Sequence, residues 1–236
     1  MIDILTNGLL SSPVPIQFTG NYCSHNCSYC FANINNPKRK LDIKAVTSQL
    51  KNYQNRNDLP SYFLREKYPL LISNNIDPFS KSNQPFVNDL IYQLQDIGVP
   101  VALATRGGIG WQEIANNITP SVWYVSLPYQ NDELRQKYEP QAPSVDERYQ
   151  LIETIIKQGH KVILSINPFN PLFAPNPIEI IQKAEKLGVK SVIVNKLHLT
   201  PIQQSNLIPS HKEILGENLL IEAKTKGFTD EWLSLA

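Results

Sequence analysis

The sequence predicts an α/β fold, a partial (β/α)6 barrel of parallel strands with a cysteine-bearing loop after strand 1. Three observations lead there. Short apolar runs recur along the chain and alternate with stretches of helical periodicity, as in βα units whose strands are buried on both faces. Glycines at 98, 159 and 188 close the helical stretches just before the next apolar run. The 18 prolines gather at strand ends and in loops, which suits a barrel with elaborated loops better than a chain with linkers.

The elements follow in order. Residues 15–19 alternate as a first strand, and Gly20-Asn21 break it into the cysteine loop. A first helix is read over 41–53 from Leu41, Ala45, Val46 and Leu50. The apolar run 69–73 is the second strand, and 86–97 is a helix through Phe86, Leu90, Leu94 and Ile97, stopped at Gly98. A third strand over 99–105 runs into Arg106-Gly107-Gly108, a short helix over 111–115 follows, and 122–126 is the fourth strand. A short segment near 133–138 and the loop 139–144 precede a helix over 145–158. Ser144 and Glu147 give that helix a capping-box start. The fifth strand is read over 161–167, a further helix over 178–187, and the sixth strand over 191–195. Six strands alternating with helices imply a parallel sheet with right-handed crossovers. The reading is a single domain over 1–236, with a core over about 14–195 and a capping segment over about 201–236.

Composition narrows the function. Lys and Arg number 22 against 21 Asp and Glu, so the broad positive field of a protein gripping duplex nucleic acid is absent. The first ten residues carry no basic segment followed by an apolar core, and no run approaches the ~18 apolar residues of a membrane helix, so a cytoplasmic protein is expected. The one dense basic run, Pro37-Lys38-Arg39-Lys40, reads as a solvated loop, with contact to an anionic substrate as the alternative.

All three cysteines fall within Cys23-Ser24-His25-Asn26-Cys27-Ser28-Tyr29-Cys30, spaced C-x3-C-x2-C. Buried apolar cysteines would scatter through a core, and an odd count argues against a disulfide framework and for a reducing compartment. Zinc bound by the three thiols and His25 is a rival, although structural zinc usually draws on two separated ligand pairs. His25 itself is read as an exposed loop residue. Asp77 is either a turn former ahead of Pro78 or a carboxylate of the functional face. Glu139 and Arg148, nine positions apart, are expected to form a structural ion pair at the barrel mouth, with contact to a bound cofactor or substrate as the alternative. His160, His198 and His211 lack metal-ligand spacing and read as ordinary, although His198 and Lys196 follow the sixth strand toward the same face.

The cysteine spacing, with Tyr29 before the third cysteine and Phe31 after it, resembles the loop of radical S-adenosylmethionine (SAM) enzymes. The resemblance implies a [4Fe-4S] cluster on Cys23, Cys27 and Cys30 with one iron left open. There SAM binds and is cleaved reductively to a 5′-deoxyadenosyl radical that abstracts hydrogen from a substrate. Within the superfamily the chain is similar to the spore photoproduct lyase-like branch over roughly 14–170, through Ser73-Asn74-Asn75-Ile76-Asp77-Pro78-Phe79, Arg106, Ser126, the stretch from Asp132 to Arg148, and Asn167-Pro168. The resemblance implies that Ser73 and Asn74 accept from the SAM ammonium, that Arg106 binds its carboxylate, and that Ser126 and Asn167 hold ribose. Tyr29 and Phe31 would stack near adenine or shield the cluster. A reductant such as flavodoxin or ferredoxin is the implied partner. The chain departs from the lyases in lacking a fourth cysteine after the second strand and in having Phe31 where they carry a tyrosine. Lesion repair on nucleic acid is therefore the alternative function, and a non-catalytic protein with a three-cysteine metal site is the alternative from another class.

Overall fold

The computed structural model of the chain describes residues 3–5, 14–16, 23–30, 42–72, 76–197 and 199–224. Its strands are β1 (Asp3–Leu5), β2 (Pro15–Ile16), β3 (Leu70–Ile72), β4 (Val101–Thr105), β5 (Val122–Ser126), β6 (Lys161–Phe169) and β7 (Ser191–Lys196). They form one sheet in the order β1-β7-β6-β5-β4-β3-β2, with every pairing parallel. From β2 to β7 neighbours in space are neighbours in the chain, as single right-handed crossovers require. β1 and β2 are the two edges, so the sheet is open and the barrel partial.

The sequence predicts six strands, and β1 is a seventh. Three residues long, it pairs with β7 through Asp3↔Ser191, Ile4↔Val192 and Leu5↔Ile193. A strand so short has too few positions to display a period of two. Of the expected first strand, residues 17–19 lie outside the described residues.

The helices are α1 (Ile43–Leu50), α2 (Leu59–Arg65), α3 (Gln84–Asp96), α4 (Trp111–Asn117), α5 (Asp132–Tyr138), α6 (Val145–Lys157), α7 (Pro177–Lys186), α8 (Pro201–Ser205) and α9 (Pro209–Lys224). The capping box at α6 forms as expected: Ser144 Oγ accepts from the Glu147 N–H, and the Glu147 carboxylate accepts from the Ser144 N–H. Gly98 ends α3 at φ +73°, where the Val99 N–H reaches back to the Leu94 carbonyl. The sequence does not anticipate α2. Its start is made by Asp58, which accepts from the Ser61 N–H, with Pro60 in the first turn.

Leu70, Leu71 and Ile72 are buried along the whole of β3, as a continuous apolar run requires of a strand covered on both faces. Val87, Leu90, Ile91 and Leu94 of α3 and Leu151, Ile152 and Ile155 of α6 join Leu103, Trp123, Val125 and Leu164 in the core. His160 belongs to that core. Its Nδ1 accepts from the Ser121 N–H at 3.0 Å, so its Nε2 donates to the Ala115 carbonyl at 2.8 Å. After β7 the chain is fastened back by the Leu199 N–H on the Ala223 carbonyl and by Gln204 Nε2 on the Leu220 carbonyl. Among the described residues no helix is long and apolar enough to cross a membrane.

Candidate functional site

The cysteine loop meets the segments that leave the C-terminal ends of β3, β4 and β5, the face on which parallel barrels assemble their sites. Two backbone bonds dock it: the Ser28 N–H on the Tyr138 carbonyl at 2.8 Å, and the Gln141 N–H on the His25 carbonyl at 3.2 Å. Within the loop the Cys30 N–H closes a turn on the Cys27 carbonyl, and Asn26 takes a left-handed φ of +53°. That conformation suits Asn better than most side chains.

Two buried carboxylates then hold the residues between the cysteines. Asp77, just past β3, accepts through Oδ1 from the Phe79 N–H (2.9 Å) and the Thr105 hydroxyl (2.8 Å), and through Oδ2 from the Arg106 N–H (2.6 Å). His25 Nε2 lies 3.3 Å from the same Oδ2. Asp77 is therefore both a turn former and the joint between the loops after β2, β3 and β4. Burial raises its pKa, but the neighbouring His25 imidazole and the Arg106 N–H outweigh burial and hold it below the ordinary carboxylate range.

Glu139, which follows α5, is fully buried. Its Oε1 accepts from Arg106 Nε at 2.9 Å and from the Tyr29 hydroxyl, and its Oε2 from Arg148 Nη2. Burial again raises the carboxylate pKa, yet Arg106, Arg148 and Tyr29 together bring it down to about 2. The expected Glu139–Arg148 ion pair thus forms, with both side chains fully buried. Arg135 supports the same turn by donating to the carbonyls of Glu139, Pro140 and Ala142.

Of the residues expected to contact SAM, Phe31, Ser73 and Asn74 lie outside the described residues, as do the basic run 37–40 and His198. Arg106 leaves the end of β4 with its side chain 22% exposed, its Nε on Glu139 and its Nη2 3.3 Å from the Tyr29 hydroxyl. Ser126 and Asn167 come together at the ends of β5 and β6, where the Ser126 hydroxyl donates to the Asn167 carbonyl at 3.0 Å. Tyr29 packs under the loop: its ring stacks on Phe173, with centroids 6.1 Å apart, next to Tyr129 and Tyr138. The expectation for His25 is corrected, because the side chain is only 4% exposed and its Nε2 lies against Asp77. A polar residue in a Ser/His/Asn-rich loop gives no local sign that a carboxylate some fifty residues on will bury it. Sequence reasoning also leaves out Thr105 and Tyr138, whose roles depend on which loops the sheet brings together.

The donor set suits an iron-sulfur cluster. Cys23, Cys27 and Cys30 are free thiols on one loop, and their charges are felt by one another. Burial, then Asp77, pushes the Cys23 thiol up to about 11; burial, then Glu139, pushes Cys27 well above the ordinary thiol value. Among the described residues no three His, Cys, Asp or Glu side chains are gathered to hold a single metal ion. A cubane places its thiolates on separate irons, so its ligands need not converge on one point.

No protein-family model matches the chain, and no curated protein matches it. Solved structures do. Streptococcus suis SuiB bound to S-adenosylmethionine superposes with a TM-score of 0.59 at 13% identity, over 81% of this chain and 42% of SuiB. A spore photoproduct lyase mutant, solved with AdoMet and dinucleoside spore photoproduct, gives 0.58 at 10% identity, over 80% of this chain and 56% of the lyase. The chain spans less than half of SuiB and little more than half of the lyase. The fold that positions the cysteine loop is therefore one shared with SuiB and with spore photoproduct lyase.

Proposed function

We propose that the protein is a radical SAM enzyme that abstracts hydrogen from an organic substrate. The observation that carries this reading is the C-x3-C-x2-C loop, docked on the C-terminal face of an open parallel sheet and anchored there by Asp77 and Glu139. Cys23, Cys27 and Cys30 would hold the [4Fe-4S] cluster, which when bound would supply the electron for reductive cleavage of SAM.

The chain's own residues bind and shield. Arg106 offers the SAM carboxylate a guanidinium whose orientation is already set by Glu139. Ser126, Asn167, Ser73 and Asn74 are the candidates for its ribose and ammonium, and Phe31 for its adenine. Tyr29, with its hydroxyl on Glu139 and its ring on Phe173, holds the floor of the loop and keeps water from it. A small reductant such as flavodoxin or ferredoxin would supply electrons, and three free thiols suit a reducing cytoplasm.

The test is anaerobic reconstitution with iron and sulfide, followed by reduction. A brown protein whose EPR signal changes on adding SAM and which forms 5′-deoxyadenosine supports the reading. A colourless zinc protein forming none refutes it in favour of a non-catalytic metal site. Adding damaged single-stranded DNA to the same assay separates a repair enzyme from one acting elsewhere, because only the former raises its SAM cleavage.

A further inference from the structure

Glu139 is itself shut off from any ligand, since it is fully buried and both of its oxygens are taken. Yet three of the residues expected to meet SAM are held through it. Tyr29 and Arg106 donate to it directly. Ser126 is reached through Arg148, which donates from Nη2 to Glu139 and from Nη1 to the Ser126 carbonyl at 3.0 Å. We propose that Glu139 is a positioning residue for SAM: it fixes the direction in which Arg106 presents its guanidinium and ties that cation, through Tyr29, to the cysteine loop. The inference rests on the radical SAM reading.

Three observations support it. Arg106 is held twice by buried carboxylates, its backbone N–H on Asp77 at 2.6 Å and its Nε on Glu139 at 2.9 Å. The side chain, buried but for 22% of its surface, is therefore held in one orientation, and the entropy of ordering a long side chain is not lost again when an anion arrives. Glu139 is also paired with Arg148, so its charge is not spent on Arg106 alone. Lastly, Tyr29 lies between Cys27 and Cys30, so the link from Glu139 sets the distance from cation to cysteine loop through side chains alone. A carboxylate serving only stability could pair with Arg148 without also meeting Arg106 and Tyr29.

The experiment compares wild type, Glu139→Asp, Arg106→Ala and the double variant, each reconstituted anaerobically, for iron content, thermal midpoint and SAM affinity by equilibrium dialysis. Glu139→Asp keeps the charge that compensates Arg148 but withdraws the carboxylate from Arg106 and Tyr29. It is expected to load iron like wild type while binding SAM about tenfold more weakly, and to add no loss in the Arg106→Ala background. Wild-type affinity in Glu139→Asp, or losses that simply add, would overturn the inference. Tyr29→Phe covers the case in which Glu139→Asp does not fold. It keeps the ring on Phe173 and removes only the hydroxyl, and a several-fold weaker SAM affinity at wild-type iron content is expected, with a modest fall in thermal midpoint from the lost bond to Glu139; unchanged affinity overturns the inference. Wild-type protein that binds no SAM refutes the radical SAM reading and this inference together.

Discussion

The His25 imidazole lies 3.3 Å from the Asp77 carboxylate, which also receives the backbone N–H of Arg106. One buried side chain thus spans the loops after β2, β3 and β4, and it explains why a loop with so few apolar residues sits in one place. Asp77→Ala strands the Thr105 hydroxyl and two backbone donors in the interior. Unfolding in denaturant should show a loss on the order of 3 kcal/mol, and iron uptake should fall with it. A stable variant that loads iron normally would show that the loop is held by Glu139 alone.

Acid should destabilise the protein through the same two carboxylates. Glu139 has a folded pKa of about 2 against 4.5 in free solution, and the Asp77 pKa is also lowered. For both, the unfolded chain binds the proton more readily, so stability rises with pH across this range. The contribution is complete above about pH 5.5 and is lost as the pH falls through 4.5 toward 2. For Glu139 alone it is on the order of 3 kcal/mol. Thermal midpoints measured from pH 7 to 3 check this, and a flat profile down to pH 3 would contradict the assignment. Glu139→Gln should flatten the acid limb.

Gly108 holds the loop after β4 against the loop after β3. A Cβ there would lie 2.0 Å from the Phe79 carbonyl oxygen, and φ is +142°. Phe79 cannot retreat, because its ring is fully buried and stacked on Trp123 with centroids 5.6 Å apart. Gly108→Ala should therefore cost on the order of 3 kcal/mol and displace Arg106. At Gly98, where nothing lies within 4 Å, the same change should cost only about 1 kcal/mol, from the positive φ. Equal costs at the two sites would mean that backbone strain and not the Phe79 contact dominates.

In metal-free protein the three thiols should react with iodoacetamide in a set order. Cys30 is half-buried and accessible, whereas Cys23 and Cys27 are buried and their thiols are pushed up, Cys23 to about 11. Thiolate is the reactive form, so at pH 8 labelling should start at Cys30, and Cys23 should label faster as the pH approaches 11. Mass spectrometry of tryptic peptides reads this directly. Bound iron should protect all three. Early labelling of Cys23 at pH 8 would show that the loop opens without metal.

What the sequence determined by itself is what short stretches of chain can encode. The apolar runs of β3 to β7, the Ser144–Glu147 capping box and the stop at Gly98 depend on neighbours a few positions apart, and each appears where the pattern puts it. The three cysteines belong to the same class, because eight consecutive residues carry the whole donor set. The Glu139–Arg148 pair was also legible, since nine positions span a loop and the first turn of a helix. Tertiary structure decided the rest. Pairing of β1 with β7 joins Asp3 to Ser191, and no local period in three residues announces it. The burial of His25 against Asp77, and the meeting of Tyr29, Arg106 and Arg148 on Glu139, depend on loops that follow different strands. Only the register of a parallel sheet sets those loops side by side, and only there does a buried carboxylate lose its water and take its partners from the chain.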